Sequence, residues 1–212
     1  MTRAAFLGRF QPFHEGHHRA VQWTADRYDD VVVALGSPER SRTPQNPLSE
    51  RERRDLLRSC HPELPVVAVP DEARGAPGHR SWATRLRDLT EADVVVSGNP
   101  AVRRIVRAHT DVRVVEQAMH APDRYSGTEI RRRIRAGEPW RDLVPECCRA
   151  LVAEHVDVIR RTAPDGEPDR DAENDAVDNH AGDDTAESHA DDGAADSASA
   201  GDADGSAGTD PG

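Results

Sequence analysis

Lysine is absent from this 212-residue sequence, so all 28 of its basic side chains are arginines. Aromatic residues are few as well: three phenylalanines, three tryptophans and two tyrosines. They do not interleave with the arginines, which counts against a nucleic-acid-binding module built from stacking platforms and a basic groove. Cysteine occurs three times, as Cys60, Cys147 and Cys148. These spacings make neither a paired disulfide framework nor a zinc motif, and the adjacent Cys147 and Cys148 read as packing residues on a helix. No apolar run reaches the 18 residues of a membrane span, and the N-terminus lacks the long apolar stretch of a secretory signal. The expectation is a cytoplasmic protein with no membrane partner.

Apolar residues are scarcest at the C-terminus. From residue 163 onward there are 16 Asp or Glu against a single arginine, Arg170, and one valine is the only large aliphatic side chain. The tail therefore carries −15 of a total of −11, which leaves +4 on residues 1–162. Such a segment has too little apolar surface to offset the entropy of ordering it, so residues 163–212 are expected to form a disordered, solvating acidic tail. What remains, residues 1–162, has the length of one ordinary domain.

Within that domain short β-branched runs recur at residues 4–7, 31–35, 66–69, 94–96 and 112–115. They are nearly all apolar, the pattern of strands buried on both faces of a parallel sheet. Helical segments alternate with them at residues 16–27, 49–59, 81–89 and 101–108, and Ser49 with Glu52 fits a capping box. Further helix is expected at residues 127–135 and 146–161. The alternation predicts an α/β fold: a Rossmann-like, doubly wound parallel sheet in a single domain. In such sheets ligands bind beyond the carboxyl ends of the strands. Polar clusters stand there at residues 8–18, 36–42 and 97–100.

The first cluster, Gly8 to His18, reads GRFQPFHEGHH. A zinc site would need a third ligand with convincing spacing beside His14 and His17, and none is apparent, so no protein-held metal is assigned. Surface histidines on a helix are another reading. The context suits a phosphate better: the stretch leaves a buried strand and enters a helix, so backbone N–H groups and the helix dipole face whatever binds. Gly8 and Gly16 let the backbone approach a ligand, Arg9 supplies a delocalised cation, and the imidazoles can donate to phosphate oxygens. A second cluster, Tyr125 to Gly137, reads YSGTEIRRRIRAG. Ser126 and Thr128 stand at a helix start where they can cap or bind an anion, and Arg131 follows one turn later.

His14-Glu15-Gly16-His17 resembles the HxGH signature of the nucleotidyltransferase superfamily, and Ser126-Gly127-Thr128-Glu129-Ile130-Arg131 resembles its SxTxxR signature. The longer GRFQPFHEGH, with SGNP at 97–100 and DRYSGTEIRRRI at 123–134, is similar to the archaeal-type nicotinamide-nucleotide adenylyltransferases. The resemblance covers residues 3–161. It implies direct transfer of AMP from ATP to nicotinamide mononucleotide, giving NAD and pyrophosphate without a covalent enzyme intermediate. It further implies that His14, His17, Arg9 and Arg131 are catalytic. ATP would be bound by Gly8, Arg9, Phe10, His14, Gly16, His17, Ser97, Gly98, Asn99, Ser126, Gly127, Thr128 and Arg131. Trp82 and Phe13 would meet the acceptor. Magnesium is implied as the cofactor, carried mainly by the ATP phosphates, and a homo-oligomer, often a hexamer, as the assembly. The sequence departs from the family's pattern at His79, where asparagine is common, and at Gln45, where a basic residue is common and Arg40 or Arg42 could substitute. The competing readings are another adenylyl- or cytidylyltransferase, acting on pantetheine phosphate or a flavin, and a nucleotide-binding regulator without catalysis. The segment RFQPF disfavours the former and two intact signatures disfavour the latter.

Overall fold

The first strand, β1 (Arg3–Gly8), runs through the centre of a five-stranded parallel sheet. The computed structural model describes residues 1–72, 75–117, 121 and 124–162. The acidic tail expected at 163–212 lies outside them, as do Asp123 and residues 73–74 of the loop before Trp82. The other strands are β2 (Asp30–Gly36), β3 (Val66–Val69), β4 (Val94–Ser97) and β5 (Arg113–Glu116), in the spatial order β3-β2-β1-β4-β5. Between them lie α1 (Glu15–Ala25), α2 (Glu50–Cys60), α3 (Ala76–Thr90) and α4 (Pro100–His109); α5 (Gly127–Ala136), α6 (Arg149–Glu154) and α7 (Val156–Arg161) follow.

Alternation along the strands divides the core in two. Ala4, Phe6, Val33, Leu35 and Val96 point to one face, where Val21 of α1, Leu56 and Leu57 of α2, and Ile130 and Ile134 of α5 cover them. Ala5, Leu7, Val32, Ala34 and Val95 point to the other, covered by Leu86 of α3 and Val106 of α4. Both faces are thus dry, which is why the strands read as unbroken apolar runs rather than as alternating ones. Each fully buried aliphatic side chain contributes about 1.5–3 kcal/mol of transfer free energy. The doubly wound expectation holds, and the sheet order reverses direction between β1 and β4, which opens a crevice at their carboxyl ends.

Two helices differ from the sequence reading, as does the cysteine pairing. Helix α3 begins at Ala76, with Pro77 in its first turn, rather than at residue 81. Proline at a helix start has no N–H to leave unsatisfied and a backbone angle already suited to the turn, so it opened the helix that the reading started later. The segment 146–161 is not one helix: a 3-10 turn at Glu146–Cys148 leads into α6, and α6 and α7 meet at His155. The cysteine expectation is overturned. Cys60, at the end of α2, and Cys147, in the 3-10 turn, form a disulfide across 87 residues, while Cys148 is buried and free. Only Cys148 packs as expected. The pairing was hidden because the two elements meet through the tertiary fold. No helix among the described residues is long and apolar enough to cross a membrane.

Candidate active site

Strand β1 stops at Gly8 because the chain must double back. A Cβ there would lie 2.8 Å from the Phe10 ring. Phe10 takes a left-handed backbone (φ 55°), unfavourable for a residue with a Cβ, and its ring is fully buried. The turn delivers His14 to the N-cap of α1. Its Nδ1 accepts the backbone N–H of His17 at 3.2 Å, so the proton of the neutral ring sits on Nε2. The rings of His14 and His17 stack with centroids 3.6 Å apart. His17 also lies against Phe13 (5.8 Å, nearly parallel) and edge-on to Phe10 (4.9 Å). Its Nδ1 is buried without a hydrogen-bond partner.

The start of α5 closes on this turn. Ser126 is its N-cap, accepting from the Glu129 N–H at 3.1 Å. Gly127 has no room for a side chain: a Cβ would sit 2.7 Å from the Gln11 carbonyl oxygen and 3.0 Å from Arg131 Nη1. That approach lets Arg131, itself buried, donate from Nη1 to the Gln11 carbonyl at 2.7 Å and from Nη2 to Thr128 Oγ1 at 3.2 Å. The two helix starts identified from sequence are therefore adjacent, with two histidines and an arginine between them. N–H groups in the first turn of each helix have no intrahelical acceptor, so the pair offers donors suited to an anion.

The electrostatics of the unliganded cradle favour neutral rings. Burial, and then the nearby Arg131 cation, hold the His14 pKa down to about 3. Burial, followed by His14, holds His17 well below the usual histidine range. A second positive charge stacked 3.6 Å from the first would be costly, and an incoming polyanion would reverse the preference. The depressed His14 pKa has a consequence for stability. Between about pH 6.5 and 3 the unfolded chain binds a proton that the native chain refuses, so stability is full above 6.5 and is lost as pH falls toward 3. Urea midpoints of unliganded protein should therefore decline from pH 7 to 5, and His14→Asn should flatten that decline. It should not abolish it, since burial lowers His17, His18 and His61 too. An unchanged pH slope in His14→Asn would contradict the assignment.

The remaining residues named from sequence are placed as follows. Ser97, buried at the end of β4, accepts the Asn99 N–H, and Asn99 Oδ1 caps α4 through the N–H groups of Ala101 and Val102. SGNP thus forms the turn from the carboxyl end of β4 into α4. The rings of Phe10 and Phe13 are fully buried, and Phe13 presents a face to His17. Trp82 lies on α3, half-buried against the core cluster of the opposite sheet face, and is not packed with the histidine cradle. Arg42 is bidentate to Glu52 and Arg40 pairs with Asp71, so both arginines are matched by carboxylates. Both polar side-chain atoms of Gln45, and Asn46 Oδ1, are buried without partners.

Sequence reasoning missed three positioning residues. Arg53 of α2 is fully buried and donates to the carbonyls of Arg9 (3.0 Å), Gly36 (2.9 Å), Ser37 (2.9 Å) and Ser49 (3.3 Å). It joins the loops after β1 and β2. Gln11 binds the backbone of Leu48 at both ends, 2.8 and 3.0 Å, fixing the loop that carries Gln45 and Asn46. Arg103 donates to the carbonyls of Ser97 and Gly98 and pairs with Glu116, which holds the SGNP turn.

Residues 5–133 match the cytidylyltransferase-like family. A nicotinamide-nucleotide adenylyltransferase of Methanosarcina barkeri is 35% identical over 162 residues, spanning 76% of this chain and 92% of the relative. The chain belongs to the nicotinamide-nucleotide adenylyltransferase family. Another member, from Pyrococcus furiosus, is 36% identical over 169 residues, 76% of this chain and 85% of the relative. Among solved structures, a bifunctional NMN adenylyltransferase/ADP ribose pyrophosphatase of Francisella tularensis, complexed with AMP and manganese, superposes with a TM-score of 0.61 at 15% identity. The match covers 76% of this adenylyltransferase-family chain and 51% of the bifunctional protein, about half its length, and it shows the shared fold.

Proposed function

We propose that this protein transfers the adenylyl group of ATP to nicotinamide mononucleotide, forming NAD and releasing pyrophosphate. The observation that carries the reading is the closure of the α5 start on the α1 start, which sets Arg131 and the stacked His14–His17 pair in one cradle at the β1–β4 crevice. In the reaction an oxygen of the acceptor's 5′-phosphate forms a bond to the α-phosphorus, and the bond from that phosphorus to the bridging oxygen of pyrophosphate breaks. The attacking phosphate is already anionic near neutral pH, so no side chain has to remove a proton. The protein's task is to align the two phosphates and stabilise the charge that moves onto the leaving pyrophosphate.

His17 is assigned to the reacting α-phosphate, and His14 Nε2–H to the adjoining phosphates. Arg9, Arg131, Ser126 and Thr128 are assigned to the β- and γ-phosphates, with the SGNP turn on the nucleoside side. The cradle offers N–H, hydroxyl and guanidinium donors rather than carboxylate oxygens. That donor set suits magnesium entering as part of the Mg·ATP substrate, hydrated and held by phosphate oxygens. Incubating the protein with ATP, magnesium and, in separate reactions, nicotinamide mononucleotide, nicotinate mononucleotide, pantetheine phosphate or FMN tests the reading. Dinucleotide and pyrophosphate in equal amounts with a pyridine mononucleotide support it; product only with another acceptor overturns it.

Trp82 is assigned to the nicotinamide ring of the acceptor. If it stacks there, Trp82→Ala should raise the acceptor KM roughly ten- to hundredfold, in the range of aromatic stacking on a base. The KM for ATP should stay near wild type, and Trp82→Phe should recover part of the loss. Because Trp82 packs against the core cluster of the sheet face that α3 covers, a stability loss is expected alongside. Equal weakening of both substrates would make it a core residue only.

A further inference from the structure

Behind α1, on the side away from the cradle, the fold gathers a second set of reactive side chains. His18 Nδ1 lies 3.0 Å from His61 Nε2. A ring nitrogen of His18 and the sulfurs of Cys60 and Cys147 all lie within 4.8 Å of one another. His61 follows Cys60 directly at the end of α2. His18 and the two sulfurs, drawn from α1, α2 and the 3-10 turn, therefore share one point, and His61 adjoins it through its contact with His18. The ring of Phe13 separates them from the cradle, with its centroid 5.8 Å from His17, 6.3 Å from His18 and 6.0 Å from His61. None of the four is required by the adenylyl-transfer chemistry.

We propose that His18, Cys60, His61 and Cys147 form a thiol-gated zinc site, closed while the Cys60–Cys147 disulfide is intact and open once it is reduced. Two thiolates with two imidazoles are the donor set of tetrahedral zinc. Ligand atoms sharing one zinc ion at 2.0–2.3 Å stand about 3.3–3.8 Å apart. The nitrogen pair is already near that separation, and the 4.8 Å grouping of His18 with the sulfurs is within about 1 Å of it. On reduction the sulfurs need only part by rotation about their Cα–Cβ bonds, with the Cα atoms 5.2 Å apart.

The outer contacts are those a zinc site uses. His18 Nε2 faces the Gln22 carboxamide at 3.1 Å, and His61 Nδ1 faces Glu63 at 3.7 Å. Each ring thus has its second nitrogen turned toward a polar partner, leaving His18 Nδ1 and His61 Nε2 for an ion. A zinc ion there would take the place of the His18–His61 hydrogen bond. His18 would move its proton to Nε2, and Gln22 would present its carboxamide oxygen to it. Burial lowers the pKa of both rings, which favours the neutral form that binds metal. Cys147 is exposed, so reductant and ion both have a path.

The redox step balances with a dithiol. It supplies two electrons and two protons, closes to its own disulfide, and leaves Cys60 and Cys147 as thiols. Zinc then displaces those two protons to solvent as the thiolates coordinate. Metal or disulfide would each tie the HxGH helix α1 or its neighbour α2 to the C-terminal segment, so the fold keeps a staple in either state.

The test uses the intact chain in two states: oxidised, and reduced with a phosphine, then freed of reductant under anaerobic conditions. Each is given zinc, desalted, and measured for bound metal; cobalt replaces zinc in a parallel series. The reduced protein should retain a single zinc ion per chain and the oxidised protein none. The cobalt form should show the strong visible bands of a tetrahedral ion and thiolate charge transfer in the near ultraviolet. Cys147→Ser should lose the charge-transfer band and the metal, whereas Cys148→Ser and His14→Asn should keep both. Glu63→Gln should weaken zinc by about 10–100-fold, as for loss of an outer-shell partner. Comparing the two redox states of wild-type protein needs no substitution, so a misfolding variant cannot obscure the result. A reduced wild-type chain that holds no zinc overturns the proposal. So does zinc that survives Cys147→Ser but leaves with His14→Asn.

Discussion

His17→Ala is expected to lower turnover by on the order of 10²–10³, the cost of losing one preorganised donor to a transition state. In the unliganded protein His17 Nδ1 is buried and has no partner, while the ring is held by His14 on one face and by Phe13 and Phe10 around it. A polar atom kept buried and unbonded costs free energy that a bound ligand can return. As charge moves toward the leaving pyrophosphate, a donor at that point is worth more than in the ground state, so kcat falls while ATP affinity changes little. His17→Asn should retain part of the activity, because an amide donates without acting as a base. His14→Ala should disturb ATP binding and turnover more evenly, since it also removes the N-cap of α1. Single-turnover rates with ATP affinity measured separately decide the matter. Full turnover in His17→Ala would refute the cradle.

The architecture was legible because it depends on local patterns. Apolar β-branched runs marked all five strands, and Ser49 with Glu52 forms both bonds of the expected capping box, at 3.4 and 2.7 Å. The two stretches proposed to bind phosphate were legible for a related reason: a glycine, a polar cap and a cation at fixed short spacing leave their mark in consecutive residues. That the α1 and α5 starts touch was not visible, because the contact between Gly127 and the Gln11 carbonyl spans more than a hundred residues. The disulfide and the meeting of His18 with His61 were hidden for the same reason. Phe10 and Phe13 stood beside the motif and were read as ligand contacts, whereas their rings are fully buried and Phe13 backs His17. Arg53 had a signal that went unread. It shares one helical face with Leu56 and Leu57, three and four residues on, and an arginine on an apolar face must find acceptors inside.

That arginine carries the second large expectation: Arg53→Met should cost about 3 kcal/mol or more and should also weaken ATP use. The guanidinium is fully buried, and it is the donor to the carbonyls of Arg9, Gly36 and Ser37. A methionine fills much of the volume but leaves those oxygens without that donor, at about 1–3 kcal/mol for each group left unsatisfied. In a domain of this size 3 kcal/mol lowers Tm by about 6–12 °C. Burial holds the Arg53 pKa down to about 10, with Glu50 and Glu39 acting against the decrease, so the group is still charged at neutral pH. The bonds to these three carbonyls leave two separate nitrogens in divergent directions, two from Nη1 and one from Nη2, and Nε adds a fourth bond to the Ser49 carbonyl. A single ammonium cannot reproduce that fork, so Arg53→Lys should restore little of the stability. Because the same bonds fix the turn that carries Arg9, the ATP KM should rise in both variants while the acceptor KM moves less. Urea unfolding and initial rates on the same preparations measure the two effects together. Wild-type stability in Arg53→Met, or full rescue by lysine, would reduce Arg53 to a buried charge that the fold tolerates. Stability lost with ATP kinetics unchanged would separate the fold from the site and leave Arg9 positioned by other contacts.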